Sequence, residues 1–159
     1  NIFLDIVGDG SLKEKILKYI QTNKMENYTR YHGAAVYASK DHMSVLKNAD
    51  VFIHPSITDT NGDKEGIPGS IVEAMAAGLP VISTYHAGIP YIITHAKTGL
   101  LVNEWDVEKL KDQIIRLTKD GELRKQLGET AQNYALKELD LYKKEEKLEK
   151  IYDQLVSKS

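Results

Sequence analysis

The chain has 159 residues, 42% of them hydrophobic and 28% charged; a chain of this length hides roughly 68–70% of its unfolded surface on folding, so one core without covalent staples is expected. Twenty-one Lys and Arg against 23 Asp and Glu leave a formal charge of −2 and a pI near 6.2, which excludes a global basic field for nucleic acid or anionic membrane and makes any phosphate binding local. With no cysteine, disulfides, thiol nucleophiles and cysteine-ligated zinc are excluded, and no apolar run nears the roughly 18 residues of a membrane span.

The first run, Ile2-Phe3-Leu4-Asp5-Ile6-Val7, closes on Gly8-Asp9-Gly10 and predicts a buried strand entering a tight turn. Ser11 is the expected cap of a helix carrying Leu12, Ile16, Leu17 and Ile20 to about Asn23. Tyr28 to Gly33 predicts a second strand, and Ser39 caps a short helix bearing Met43 and Leu46. A third strand, Val51 to His54, ends at Pro55 and opens into the polar loop Ser56 to Glu65. Pro68 then stands in a first helical turn whose apolar face, Ile71, Val72, Met75 and Ala76, stops at Gly78. Leu79 to Ser83 is the fourth strand, Gly88-Ile89-Pro90 a short turn, and Leu100 to Val102 the fifth strand. Asp106 caps a helix with Leu110, Ile114 and Leu117, and the remainder reads as helix to the end.

Strands alternating with helices of about ten residues indicate an α/β domain, a Rossmann-like parallel sheet with helices on both faces. Its span is residues 1–120; residues 121–159 form a C-terminal helical extension packing on it. There, Leu123, Leu127, Leu136, Tyr142, Leu148, Ile151 and Leu155 make a narrow apolar stripe that needs a surface, and Lys143 to Lys147 make a solvated charged face. A chain opening on Asn1, with no export signal, is expected to be part of a longer protein kept in the cytoplasm.

In a parallel sheet, ligands bind beyond the carboxyl ends of the strands. The strongest signal there is the segment from Asp63 to Gly78, where Glu65 and Glu73 bracket a glycine-rich turn and a helix start. The backbone amides of Gly66, Ile67, Gly69 and Ser70 suit an anion such as a diphosphate, because a helix N-terminus leaves its first amides unpaired and carries partial positive charge; Pro68 has no amide to give. Glu73, one turn in, suits a ribose diol, and Glu65 a sugar beyond the phosphates. The alternative on spacing alone makes Glu73 a helix-dipole partner and Glu65 a loop charge.

This segment, together with Ile6-Val7-Gly8-Asp9-Gly10, Asn48 to Ser56, Glu73 to Ser83, Gly88-Ile89-Pro90 and Thr98 to Val102, resembles the C-terminal half of the retaining family-four glycosyltransferases of GT-B architecture. The resemblance covers nearly the whole chain. It implies a nucleotide-sugar-binding domain whose full enzyme moves a sugar from a UDP- or GDP-linked donor to a glycan or lipid-linked acceptor, with retention and without an essential metal or other cofactor. It also implies roles: Glu65 at the transferred sugar, Gly66 and Ile67 amides at its hydroxyls and the diphosphate, Glu73 at the ribose, the loop Gly33 to Val36 against the base, and Gly8 among the donor-binding residues. Absent are the preceding βα unit, whose Arg and Lys bind the diphosphate in that family, and the N-terminal acceptor domain, through which membrane association at the inner face would run. Without them, this chain alone is expected to be inactive, and the terminal helices are expected to pack toward the missing domain. Tyr91 departs from the acidic residue relatives carry after Gly-Ile-Pro.

Other signals point elsewhere more weakly. Lys13 breaks the dinucleotide glycine fingerprint after Gly8 and Gly10. Asp59, Asn61 and Asp63 imitate a calcium loop that fails at Lys64 and Ser70. The five histidines include no pair at metal-ligand helical spacing, and His54 and His86 are read as hydrogen-bonded structural residues, with a role polarising a phosphate or sugar hydroxyl as the alternative for each. The rival functions are a non-catalytic GT-B-like scaffold subunit, a sugar-nucleotide epimerase and a receiver-type regulator; the last lacks an acidic cluster at its strand ends.

Overall fold

The computed structural model describes residues 2–34 and 39–156. Contacts divide the chain into two compact units, residues 1–48 and 49–159.

In the first unit, β1 (Leu4–Val7) and β2 (Thr29–Gly33) run parallel, joined by α1 (Lys13–Thr22), and α2 (Lys40–Asn48) follows. The cap of α1 is Leu12, with no side-chain bond, rather than Ser11. Gly10 and Asp9 make the turn instead: Gly10 N–H donates to Asp9 Oδ1 at 2.9 Å, and Lys13 N–H to the Gly10 carbonyl at 3.1 Å. At α2 the expected serine cap is present, His42 N–H donating to Ser39 Oγ at 3.2 Å.

In the second unit, β3 (Phe52–His54), β4 (Val81–Thr84) and β5 (Leu100–Val102) form a parallel sheet in that order. All four residues of β4 are buried, as a central parallel strand covered on both faces must be. Around the sheet lie α3 (Gly69–Ala76), a 3-10 turn at Ile89–Tyr91, α4 (Val107–Lys119) and α5 (Gly121–Glu138), with α6 (Leu141–Val156) beyond. Ile82 and Leu100, partners across the ladder, pack with Leu117 of α4 and Leu127 of α5 to form the core, and Val51, Ile53, Leu110, Ile114 and Leu123 close around them.

Aspartates cap α4 and α5. Asp106 accepts from Lys109 N–H and Asp120 from Leu123 N–H, each at 2.9 Å. The C-terminal helix is not continuous, because Asp140 accepts from Lys143 N–H at 3.1 Å and starts α6 afresh. Within the apolar stripe expected here, Leu123 and Leu127 join the core, whereas Leu136, Tyr142, Leu148, Ile151 and Leu155 are exposed.

Helix α3 is fixed at its far end. Gly78, at φ +81°, closes it with a pair of bonds, Leu79 N–H to the Ala74 carbonyl and Gly78 N–H to the Met75 carbonyl, both at 3.0 Å. Gln132 of α5 donates to the Ala76 carbonyl at 3.0 Å. At Gly128 of α5 a β-carbon would stand 2.2 Å from the Gly78 carbonyl oxygen, so only glycine allows this approach.

Candidate functional site

The segment from Glu65 to Glu73 lies where parallel-sheet topology directs a ligand, between the carboxyl end of β3 and the start of α3. Pro68, extended at φ −62° and ψ 124°, caps α3 without a side-chain bond of its own, unlike Asp106, which accepts from Lys109 N–H at the start of α4. The Glu73 carboxylate reaches back over that turn: a β-carbon at Gly69 would stand 3.8 Å from Glu73 Oε1.

His54, at the end of β3, connects the two sides of the segment. Its Nε2 is 3.5 Å from Glu65 Oε1 and its Nδ1 is 3.5 Å from Ser70 Oγ. Glu65 and Ser70, five residues apart in sequence, thus share one imidazole. The ring also stacks on Phe52, with centroids 6.2 Å apart and planes 9° from parallel.

The turn after β4 supports the other flank. Gly88 N–H donates to the Gly66 carbonyl at 3.1 Å, and a β-carbon on Gly88 would stand 2.7 Å from Ile67 Cγ1 and 2.9 Å from the Gly66 oxygen. Gly88 is therefore required for this contact. Tyr91, at the position of the expected acidic residue, is exposed, and its carbonyl accepts from Tyr134 at 3.4 Å.

Three buttons hold the beginning of the β3 loop. Ser83 Oγ donates to the His54 carbonyl at 2.6 Å, Thr84 Oγ1 to the Ser56 carbonyl at 2.5 Å, and Glu104 Oε2 accepts from Thr58 N–H at 2.7 Å. Glu104 Oε1 in turn accepts from His86 Nδ1 at 2.7 Å and from Thr58 Oγ1 at 3.3 Å. His86 is 1% exposed, and its Nε2 has no partner among the described residues. Hydrogen bonding to Thr58 N–H first, then to His86, holds the Glu104 carboxyl below its ordinary pKa. Asp59, Asn61 and Asp63 close the tip of the loop on itself, since Asp59 Oδ1 accepts from Asn61 N–H at 2.8 Å and Asp63 N–H at 2.9 Å.

Glu65, Gly66, Ile67, Gly69, Ser70 and Glu73 thus come together in the second unit. Gly8 and Gly33 adjoin each other in the first: Gly8 N–H donates to the Gly33 carbonyl at 2.8 Å, and Tyr31 Oη donates to the Gly8 carbonyl at 2.7 Å. Both glycines have positive φ, +147° and +72°, which admits them where a β-carbon would strain the turn. Val36 lies outside the described residues. Thr58 and Glu104 were not among the expected site residues; 46 positions separate them, and only sheet order brings them together.

Residues 1–134 match the family described as glycosyl transferases group 1. The chain belongs to this family. Over 114 residues, 72% of the chain, it is 38% identical to a putative colanic acid biosynthesis glycosyltransferase, WcaL, of Salmonella typhimurium, and covers 28% of that protein. A GDP-mannose-dependent phosphatidylinositol monomannoside mannosyltransferase of Corynebacterium glutamicum is 36% identical over 77% of the chain, which covers 31% of it. Among solved structures, Anabaena HepE in complex with UDP-glucose superposes with a TM-score of 0.81 at 21% identity, over 96% of this chain and 41% of that one. The chain is a glycosyl transferases group 1 domain with the fold of the C-terminal part of GT-B enzymes. It spans less than a third of the length of these two curated relatives.

Proposed function

We propose that this domain binds the nucleoside-diphosphate-sugar donor of a retaining hexosyltransferase that builds a polysaccharide or glycolipid, with Glu73 at the ribose, the first amides of α3 and those of Gly66 and Ile67 at the diphosphate and sugar, and Glu65 at the transferred sugar. The observation that carries this reading is the arrangement of Glu65 and Glu73 on either side of a helix start whose capping residue, Pro68, makes no side-chain bond. Both donor bases have support among the relatives, UDP-glucose in HepE and GDP-mannose in the Corynebacterium enzyme. In this reading the acceptor side, with any membrane association, lies in the remainder of such an enzyme, since the chain covers only 28% of WcaL and 31% of the Corynebacterium enzyme.

In this reading the chain binds donor without transferring sugar. Retaining transfer with attack on the face from which the diphosphate leaves depends on stabilising the departing charge. A helix start supplies the equivalent of about half a positive charge, and Lys64 is the one cation between Asp63 and Gly78. Further cations from outside the segment are required. A scaffold or epimerase reading has no observation in its favour beyond the shared architecture.

The assignment of Glu73 is tested by Glu73→Ala. Loss of a charge-assisted pair of bonds to a diol, worth about 1.5–3 kcal/mol, should weaken nucleoside diphosphate binding roughly tenfold or more by calorimetry, with the fold intact by circular dichroism. Unchanged affinity in a folded variant removes Glu73 from the ribose.

A further inference from the structure

Between His54 and Gly66 the chain is tied down by its neighbours at a few points. The His54 and Ser56 carbonyls are held by Ser83 and Thr84 of β4. Thr58 is held by Glu104, just beyond the end of β5, through both its N–H and its hydroxyl. From Asp59 to Asp63 backbone amides bond within the loop itself, and the Gly66 carbonyl is tied by accepting from Gly88 N–H. Glu65 stands one residue before this second tie. Its side chain is 43% exposed and touches His54 only at 3.5 Å, so its position depends on where the backbone is held on either side.

The geometry points to Glu104 as a positioning residue for Glu65: by gripping Thr58 while itself braced by buried His86, it fixes the upstream end of the span that presents Glu65 to the donor sugar. This rests on the reading of Glu65 as the residue at the transferred sugar. Glu104 occupies its carboxylate oxygens with Thr58 and His86 and acts through the loop, not on the substrate. Misplacing a substrate-orienting group by about 1 Å costs up to a hundredfold in such chemistry, so one remote carboxylate has leverage on recognition.

The test uses the chain itself with Glu104→Ala, Glu104→Gln and Glu65→Ala, probed with UDP and UDP-glucose and with GDP and GDP-mannose. Two readouts are followed: heteronuclear NOE across residues 58–65, and affinity for each nucleotide against its sugar conjugate. In Glu104→Ala, NOE values across this span should fall toward those of the chain termini. Nucleotide affinity should stay within about twofold, while the extra affinity for the sugar conjugate drops as far as in Glu65→Ala, and the double variant should lose nothing more. Glu104→Gln, whose carbonyl still accepts from Thr58 N–H, should restore both readouts. Should the alanine variant not fold, Glu104→Asp, which keeps the charge but draws it back from Thr58, carries the same expectations. Unchanged NOE values in a folded variant overturn the proposal, as does equal loss of nucleotide and sugar-nucleotide binding. If the unaltered chain binds none of the four ligands, the donor reading fails, and the NOE comparison still decides whether Glu104 positions the loop.

Discussion

Glu104 carries its negative charge between the Thr58 N–H and His86 Nδ1, and these bonds favour its ionised form. Because its pKa is lowered from about 4.5 in the folded chain, the stabilisation it gives is fully present above that ordinary value and is lost as pH falls through the lower, folded value. The Thr58 amide resonance should therefore shift on acidification with a midpoint below 4.5, and Glu104→Gln should abolish that shift. A midpoint at or above the ordinary value would mean that the carboxylate is not gripping Thr58. The residues split sharply in legibility. Glu65, Gly66, Gly69 and Glu73 fall within one turn-and-helix segment, so their closeness was legible, while spacing alone left a helix-dipole role for Glu73 and a loop charge for Glu65 open. Thr58 and Glu104 meet only because β3 and β5 flank β4, which no local pattern encodes. His54 lies between these cases: its place at a strand end was legible, its contacts with both Glu65 and Ser70 were not.

At the scale of elements, α3 carries the proposed donor contacts, and α5 holds it. Gly128 has a structural cost, since glycine inside a helix is less stable than alanine by about 1 kcal/mol. Contact with the Gly78 carbonyl reverses that balance, because a β-carbon 2.2 Å from a backbone oxygen forces the helices apart. Gly128→Val should destabilise the chain by about 2–3 kcal/mol, read as a lowered Tm in thermal denaturation, and should shift the amides at the C-terminal end of α3. A variant as stable as the parent would show that α5 does not need this approach. Strands β1, β3, β4 and β5 were legible because each is a short, mainly apolar run closed by Gly, Pro or a polar turn, although β1 is mostly exposed rather than buried as expected; β2, Thr29–Gly33, is mainly polar. Asp106, with Lys109 three residues on, announced α4 in the same way. The break before α6 also had its signal, Asp140 three residues ahead of Lys143, but continuous charge-rich helical periodicity on both sides hid it. Gly128 gave no signal of its own, since its reason for being glycine is 50 positions away at Gly78.

For the whole molecule, the governing quantity is charge at the ligand. The chain has a net charge of −2, yet the proposed ligand is an anion, so the proposed binding draws on local backbone amides and the helix start. Family membership was legible as an ordered set of motifs, because the polar groups that suit a nucleotide sugar recur at fixed offsets from the strands. Donor base was not legible, because the loop expected to face it, from Gly33 to Val36, is built mainly of small and apolar residues that read no base by their chemistry. The most direct test is a titration of this chain with UDP, GDP and ADP, with and without magnesium, following backbone amide shifts. The account predicts shifts concentrated at Gly66, Gly69 and Glu73, independent of magnesium, and strongest with UDP or GDP. Absence of shifts in this segment at millimolar concentrations of all three nucleotides would contradict it.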